Sequence, residues 1–94
     1  MIKSWKHKGL KELFLKGTHR GVPADMADRI QRRLDVLDAS NSLEALGLPG
    51  FRLHPLSGNM KGKYSIRVTG NWRITFLFEH GDAFDVNLED YHGR

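Results

Sequence analysis

The run Lys63-Tyr64-Ser65-Ile66-Arg67-Val68-Thr69-Gly70-Asn71-Trp72-Arg73-Ile74-Thr75-Phe76-Leu77-Phe78 decides the architecture. Tyr64, Ile66 and Val68 alternate with Ser65 and Arg67. Trp72, Ile74, Phe76 and Phe78 alternate with Arg73, Thr75 and Leu77. Apolar residues at period two on both sides of a Gly-Asn turn predict a β-hairpin with one buried face. A two-residue turn at Gly70-Asn71 would pair Val68 with Arg73 and mix apolar with charged residues on both faces. A three-residue loop, Thr69 to Asn71, pairs Val68 with Trp72, Ile66 with Ile74 and Arg67 with Arg73. A buried face fixes register, so the second pairing is expected, with Arg67 beside Arg73 on the uncovered face.

The same period extends outward. Phe51 and Leu53 alternate with Arg52 and His54, and Phe84, Val86 and Leu88 alternate with Asp85, Asn87 and Glu89. A three-residue loop, His80 to Asp82, brings Phe76 opposite Val86 and Arg73 opposite Glu89. Four half-buried strands result. Arg52, His54, Lys63, Arg67, Arg73 and Tyr91 share the parity of the open face, whereas His92 joins it only where the strand bends.

Upstream the period changes. Ile2 to Lys6 is expected as a short opening strand, and Leu10, Leu13 and Phe14 then recur at helical spacing up to Gly17. Pro23 suits a first helical position, and Met26, Ala27, Ile30, Leu34 and Leu37 form an apolar stripe behind it. Asp25 with Arg29 and Asp28 with Arg32 are acid-first i,i+4 pairs, read as a solvated helix face. Asn41 followed by Glu44 has the form of a capping box for one turn ending at Gly47. The expectation is an α+β domain spanning residues 1–94, with an N-terminal strand and two helices on one face of an antiparallel meander.

Composition narrows the chemistry. Ninety-four residues allow one modest core. The absence of cysteine excludes disulfides and thiolate catalysis. No GxGxxG or GxxxxGK[ST] string occurs. The apolar run Ile74 to Phe78 is too short to span a membrane, and no signal-peptide pattern precedes the domain, so the cytoplasm is the expected compartment. Fifteen Lys and Arg against eleven Asp and Glu give a net charge of +4. The distribution says more than the sum, because no acid occurs between Glu44 and Glu79 while Arg52, His54, Lys61, Lys63, Arg67 and Arg73 do. A polyanion is the simplest partner for such a segment.

Like charges opposite one another on a sheet are destabilising, so Arg67 beside Arg73 calls for a reason. One reading has Glu89 compensating Arg73 while Arg67 lies in water. The other is a phosphodiester cradle, since guanidinium groups hold phosphate oxygens in bidentate fashion. RNA supplies a 2′-hydroxyl as internal nucleophile, so strand cleavage needs no metal and no protein nucleophile. It needs in-line positioning, charge stabilisation at phosphorus and proton transfer. Glu89-Asp90-Tyr91-His92 places acid, phenol and imidazole at the end of the last strand. His54, held extended by Pro55, is a second imidazole. A metal site built from His54, Asp90 and His92 lacks zinc-motif spacing and faces cationic neighbours, so no metal or cofactor is expected. Ser65, in mid-strand without an elbow motif, does not suit a hydrolase nucleophile.

The runs Gly62 to Val68, Asn71 to Phe76, Asp85-Val86 and Asp90-Tyr91-His92, preceded by Leu53-His54-Pro55-Leu56-Ser57-Gly58, resemble the HigB toxins. These are the plasmid-maintenance killer branch of the RelE/ParE superfamily, and the resemblance covers essentially the whole chain. It implies a RelE-like fold and a ribosome-dependent, metal-independent messenger-RNA endonuclease that blocks translation. It also implies inhibition by a cognate HigA-type helix-turn-helix antitoxin, with operator DNA bound only through that antitoxin. Family roles fall on His54, Asp90, Tyr91 and His92 as the catalytic cluster, with Arg67 and Arg73 on the scissile phosphate. Arg52, Lys61 and Lys63 are candidate RNA contacts. Some relatives place a lysine just after the histidine, where this chain has Ser57; either Lys61 or Lys63 replaces it or activity is reduced. The alternatives are a ParE-like gyrase poison and a non-catalytic RNA-binding module, neither of which calls for the Asp-Tyr-His terminus beside paired arginines.

Overall fold

The computed structural model describes residues 1–56 and 62–91. Helix α1 (Lys8–Lys16) and helix α2 (Ala27–Ala39) precede strands β1 (His54–Pro55), β2 (Lys63–Thr69), β3 (Trp72–Glu79) and β4 (Asp82–Asp90). The strands form an antiparallel meander in the order β1-β2-β3-β4. Leu10 and Leu13 of α1 and Ile30, Leu34 and Leu37 of α2 are buried in one core with Ile66, Val68, Ile74, Phe76, Val86 and Leu88. Both helices therefore cover one sheet face, as the α+β reading requires. Tyr64 stacks on Phe76 at 6.3 Å, and Phe76 meets Phe78 edge-on.

The hairpins are built differently from the loops expected of them. Thr69 pairs with Trp72, so the turn holds two residues, Gly70 and Asn71. Arg67 nevertheless pairs with Arg73 and Ile66 with Ile74, because the ladder shifts between Arg67 and Thr69. The extra residue is Val68, a β-bulge that restores what a two-residue turn alone would spoil. The expected Val68–Trp72 pair is absent, yet the apolar residues of β2 and β3 keep their expected sides. The second hairpin also carries a bulge, but with a different outcome. Phe84, expected on the buried side with Val86 and Leu88, pairs with Leu77 on the open face, while buried Ala83 pairs with Phe78. The expected Phe76–Val86 pair is absent because the bulge lies between them and the turn. Glu79 pairs with Asp82 around a two-residue turn, Arg73 pairs with Glu89, and the ladder shifts between Thr75 and Leu77. Asp85, at φ 54°, lies in that β4 bulge.

That bulge also limits the opening segment. Ile2 bridges Ala83 and Trp5 bridges Val86, both parallel, without forming a continuous strand. Between the two bridges the Asp85 N–H donates to Ser4 Oγ at 2.8 Å in place of a ladder bond. The expected opening strand is thus two isolated bridges along the β4 edge. Near β1, the Arg52 φ of 48° breaks the alternation, and only His54 and Pro55 are strand. The turn at Leu43–Leu46 starts after Ser42 and has no side-chain cap, so the Asn41–Glu44 capping box does not form. Pro23 heads a short 3-10 turn, Ala24–Met26, that leads into α2.

Gly9 of α1 is packed against Gly21, and a Cβ on Gly9 would collide with the Gly21 backbone. Gly17 ends α1 in the left-handed region at φ 73°, a conformation that costs a residue with Cβ more than glycine.

Candidate functional site

The open face is laid out in rows across the meander. One row is Arg67, Arg73 and Glu89; the next is His54, Ser65, Thr75 and Asn87; a third is Lys63, Leu77 and Phe84. Residues opposite one another on adjacent antiparallel strands point to the same side. His54, Lys63, Arg67 and Arg73 therefore share one face. Arg67 and Arg73 are half-buried and His54 is exposed.

Glu89 does not neutralise Arg73. Its Oε2 accepts from the Thr75 hydroxyl at 2.6 Å. The Met1 ammonium pairs with Asp82, at the opposite end of the β3–β4 hairpin from Arg73. Arg73 instead lies over the Tyr91 ring, 5.6 Å from Cζ to centroid. A guanidinium on an aromatic face keeps its charge and its N–H donors while its position is narrowed. Tyr91 reaches that place because its N–H donates to the Asn71 carbonyl at 2.9 Å, closing the strand end against the hairpin turn. Asp90 pairs with Trp72 in the ladder and is exposed.

Arg67 is fixed through its backbone. Its N–H donates to the Phe51 carbonyl at 2.6 Å, and its carbonyl accepts from Arg33 Nε at 2.7 Å. Arg29 Nη1 reaches the Val68 carbonyl at 3.4 Å. Two α2 arginines thus meet the β2 bulge, where ladder bonding is interrupted. Burial, followed by repulsion from Arg29, Arg32 and Arg67, holds the Arg33 guanidinium below its usual range. The α2 polar face, read from sequence as solvated, is therefore partly turned to the sheet. No pattern signals this, since an arginine stem is long enough to reach sideways from an exposed position.

Several expected positions stand apart. Arg52 is exposed and outside the ladder, beside the Arg67 end of β2, so strand parity does not place it. Lys63 starts β2, four residues before Arg67 and about 13 Å along the strand. Ser57, Lys61 and His92 lie outside the described residues. No group of three or more His, Cys, Asp or Glu among the described residues is placed to hold a metal ion. Ser65 Oγ is buried in the middle of the face and has no hydrogen-bond partner among the described residues.

Among the described residues neither guanidinium is ion-paired with a carboxylate; Arg73 is steadied by a phenol ring and Arg67 by its own peptide, donor chemistry that suits the oxygens of a phosphate. Comparison with known proteins agrees with that chemistry. Residues 3–92 match the family described as RelE-like toxin of type II toxin-antitoxin system HigB. The chain is similar to the Endoribonuclease HigB of Proteus vulgaris, 53% identical over 92 residues, covering 98% of this chain and all of that protein. It is also similar to Toxin HigB-1 of Vibrio cholerae serotype O1, 32% identical over 93 residues, covering 97% of this chain and 98% of that one.

Proposed function

The chain belongs to the RelE-like HigB toxins of type II toxin-antitoxin systems, and on that premise we propose that its arginine face cleaves messenger RNA held on the ribosome. It is an endoribonuclease toxin with an antitoxin partner, and we read residues 1–94 as one toxin domain. The partner is a HigA-type helix-turn-helix protein, through which operator DNA is bound. No helix among the described residues is long and apolar enough to cross a membrane, and the proposed place of action is the cytoplasm.

The observation that carries the nuclease reading is the Arg67–Arg73 register pair with Tyr91 against Arg73. In the proposed reaction the 2′-oxygen bonds to phosphorus as the bond to the 5′-oxygen breaks. Arg67 and Arg73 donate to the phosphoryl oxygens as charge accumulates there, which is the largest contribution such a face offers. His54 or His92 takes the 2′-hydroxyl proton, and the other imidazole or the Tyr91 phenol protonates the departing 5′-oxygen. Asp90 sets the tautomer or position of the terminal imidazole. Lys63, Lys61 and Arg52 bind flanking phosphates. No metal takes part. The ribosome supplies the in-line pose of the message.

The test is cleavage of a defined message, free and ribosome-bound, by wild type, Arg67→Ala and Arg73→Ala, with chelator present throughout. Wild type is expected to cut only the ribosome-bound message. Each variant should lose about 10²–10³-fold in rate, the usual cost of a transition-state donor. Full cleavage by both variants would end this reading. DNA breakage with the message left intact would favour a gyrase poison, and salt-dependent RNA binding without product would favour a binding module.

A further inference from the structure

Arg33 lies on α2, outside the open face, yet it is joined to that face at one atom. Its Nε donates to the Arg67 carbonyl at 2.7 Å, and its guanidinium lies over the Phe51 ring at 4.7 Å. The Phe51 carbonyl in turn accepts the Arg67 N–H at 2.6 Å. The three residues close a ring of contacts around a single position of β2. That position borders the Val68 bulge, where the ladder shifts and strand pairing alone leaves the backbone underdetermined.

The charges around Arg33 argue that holding Arg67 in place, and not adding stability, is what this contact does. Arg29 and Arg32 flank it on α2, and Arg67 faces it from the sheet. No carboxylate among the described residues lies within ion-pair distance of it. A cation half-buried among cations costs free energy. What it provides is a short charge-assisted bond to one carbonyl and a planar stack on one ring.

We propose that Arg33, held by Phe51, is a positioning residue that aims the Arg67 guanidinium at the scissile phosphate. This rests on the nuclease reading of the open face. Arg33 touches no reacting atom; it fixes the peptide from which the Arg67 side chain departs. Because the bulge frees that peptide from the regular ladder, loosening it displaces the guanidinium. Misplacement by about 1 Å costs up to ~10²-fold in rate.

The experiment is a double-mutant cycle on the full chain, read by single-turnover cleavage of ribosome-bound message, by affinity for the programmed ribosome and by thermal unfolding. Arg33→Met is expected to slow cleavage about 10-fold or more while affinity stays within about twofold. Arg33→Lys keeps the charge but lacks the Nε fork, and should slow cleavage as Arg33→Met does while its thermal unfolding stays at or below that of Arg33→Met. In an Arg67→Ala background, Arg33→Met should have no further effect on cleavage, because its action passes through Arg67. Wild-type cleavage by Arg33→Met, or losses that multiply in the double variant, would overturn the proposal while leaving the nuclease reading intact. Full cleavage by Arg67→Ala would remove that reading and this proposal together. If Arg33→Met does not fold, Phe51→Leu serves in the same cycle, since it keeps the carbonyl and removes the ring beneath the guanidinium. The same two patterns decide.

Discussion

Thr75 Oγ1 donates to Glu89 Oε2 at 2.6 Å, and the carboxylate held there belongs to the residue whose backbone faces Arg73 across the sheet. The hydroxyl keeps the acid in register with Arg73 from neutralising it. Thr75→Val has nearly the same shape but no donor. Glu89 is then expected to turn onto Arg73, and a partly exposed pair of up to ~1 kcal/mol lowers the cleavage rate roughly fivefold. Adding Glu89→Gln should restore most of that rate. Single-turnover kinetics of the two variants check it, and failure of Glu89→Gln to rescue would refute the account.

Tyr91 has two separable parts. Tyr91→Phe keeps a ring against Arg73 and removes the hydroxyl, so message affinity should hold while the cleavage rate falls about 10²-fold, the lower range for a lost proton donor. Tyr91→Ala also releases Arg73 and should be slower still. Comparing KM and kcat for the two variants separates the effects. A Phe variant as fast as wild type would confine Tyr91 to orienting the guanidinium.

Ser65 stands among these residues on the open face, and its buried hydroxyl has no partner among the described residues. Removing an unsatisfied buried hydroxyl is neutral or stabilising. Ser65→Ala is expected to unfold at the same or a higher temperature and to cleave at the wild-type rate. A large loss of cleavage would point to a serine nucleophile and against attack by the 2′-hydroxyl.

His7 caps α1 through Nδ1, which accepts the Leu10 N–H at 3.1 Å. Burial, only partly opposed by a backbone hydrogen bond, holds its imidazole below the usual value of 6.5. The neutral ring is therefore the folded form, and the unfolded chain binds more protons just below pH 6.5. Stability rises with pH wherever that holds, so this contribution is complete above about 6.5. It falls as pH drops through that value, and the loss levels off below the folded pKa. Melting temperatures measured from pH 7.5 to 5 should show the decline. His7→Asn, which keeps the acceptor without titrating, should flatten it.

Helix propensity alone says that Gly9→Ala stabilises α1 by up to about 1 kcal/mol. The Gly21 backbone occupies the place where the methyl would go, and overpacking against backbone costs ~1–3 kcal/mol. The expected outcome is a lower melting temperature, with no gain in stability. An unchanged or raised value would show that α1 and the Gly21 segment separate freely.

Much of this was legible in residue order because burial enforces parity. Ile66, Ile74 and Phe76 must share a side, which is enough to place Arg67 beside Arg73 and Arg73 beside Glu89. The loop length was not legible. A three-residue loop and a two-residue turn with a bulge return the same faces beyond the bulge, and period-two counting cannot separate them there. Between turn and bulge they differ, which is why Phe84 lies on the open face. The opening segment is apolar and extended enough for a strand, but its interruption depends on Asp85, some eighty residues downstream. Arg33 and Arg29 were invisible for a different reason. An arginine on a helix's polar side looks solvated until the sheet carbonyl within its reach is known.

The bulge at Val68 has a consequence for how such a chain tolerates insertions and deletions. Loss of Val68 alone would slide the preceding strand by one step and turn Arg67 inward, whereas the same loss combined with one residue added at Gly70-Asn71 would leave the guanidinium groups where they are. Among sequences of this kind, the length of that turn and the presence of the neighbouring kink should therefore be inherited as a coupled pair, each free to change only when the other changes with it.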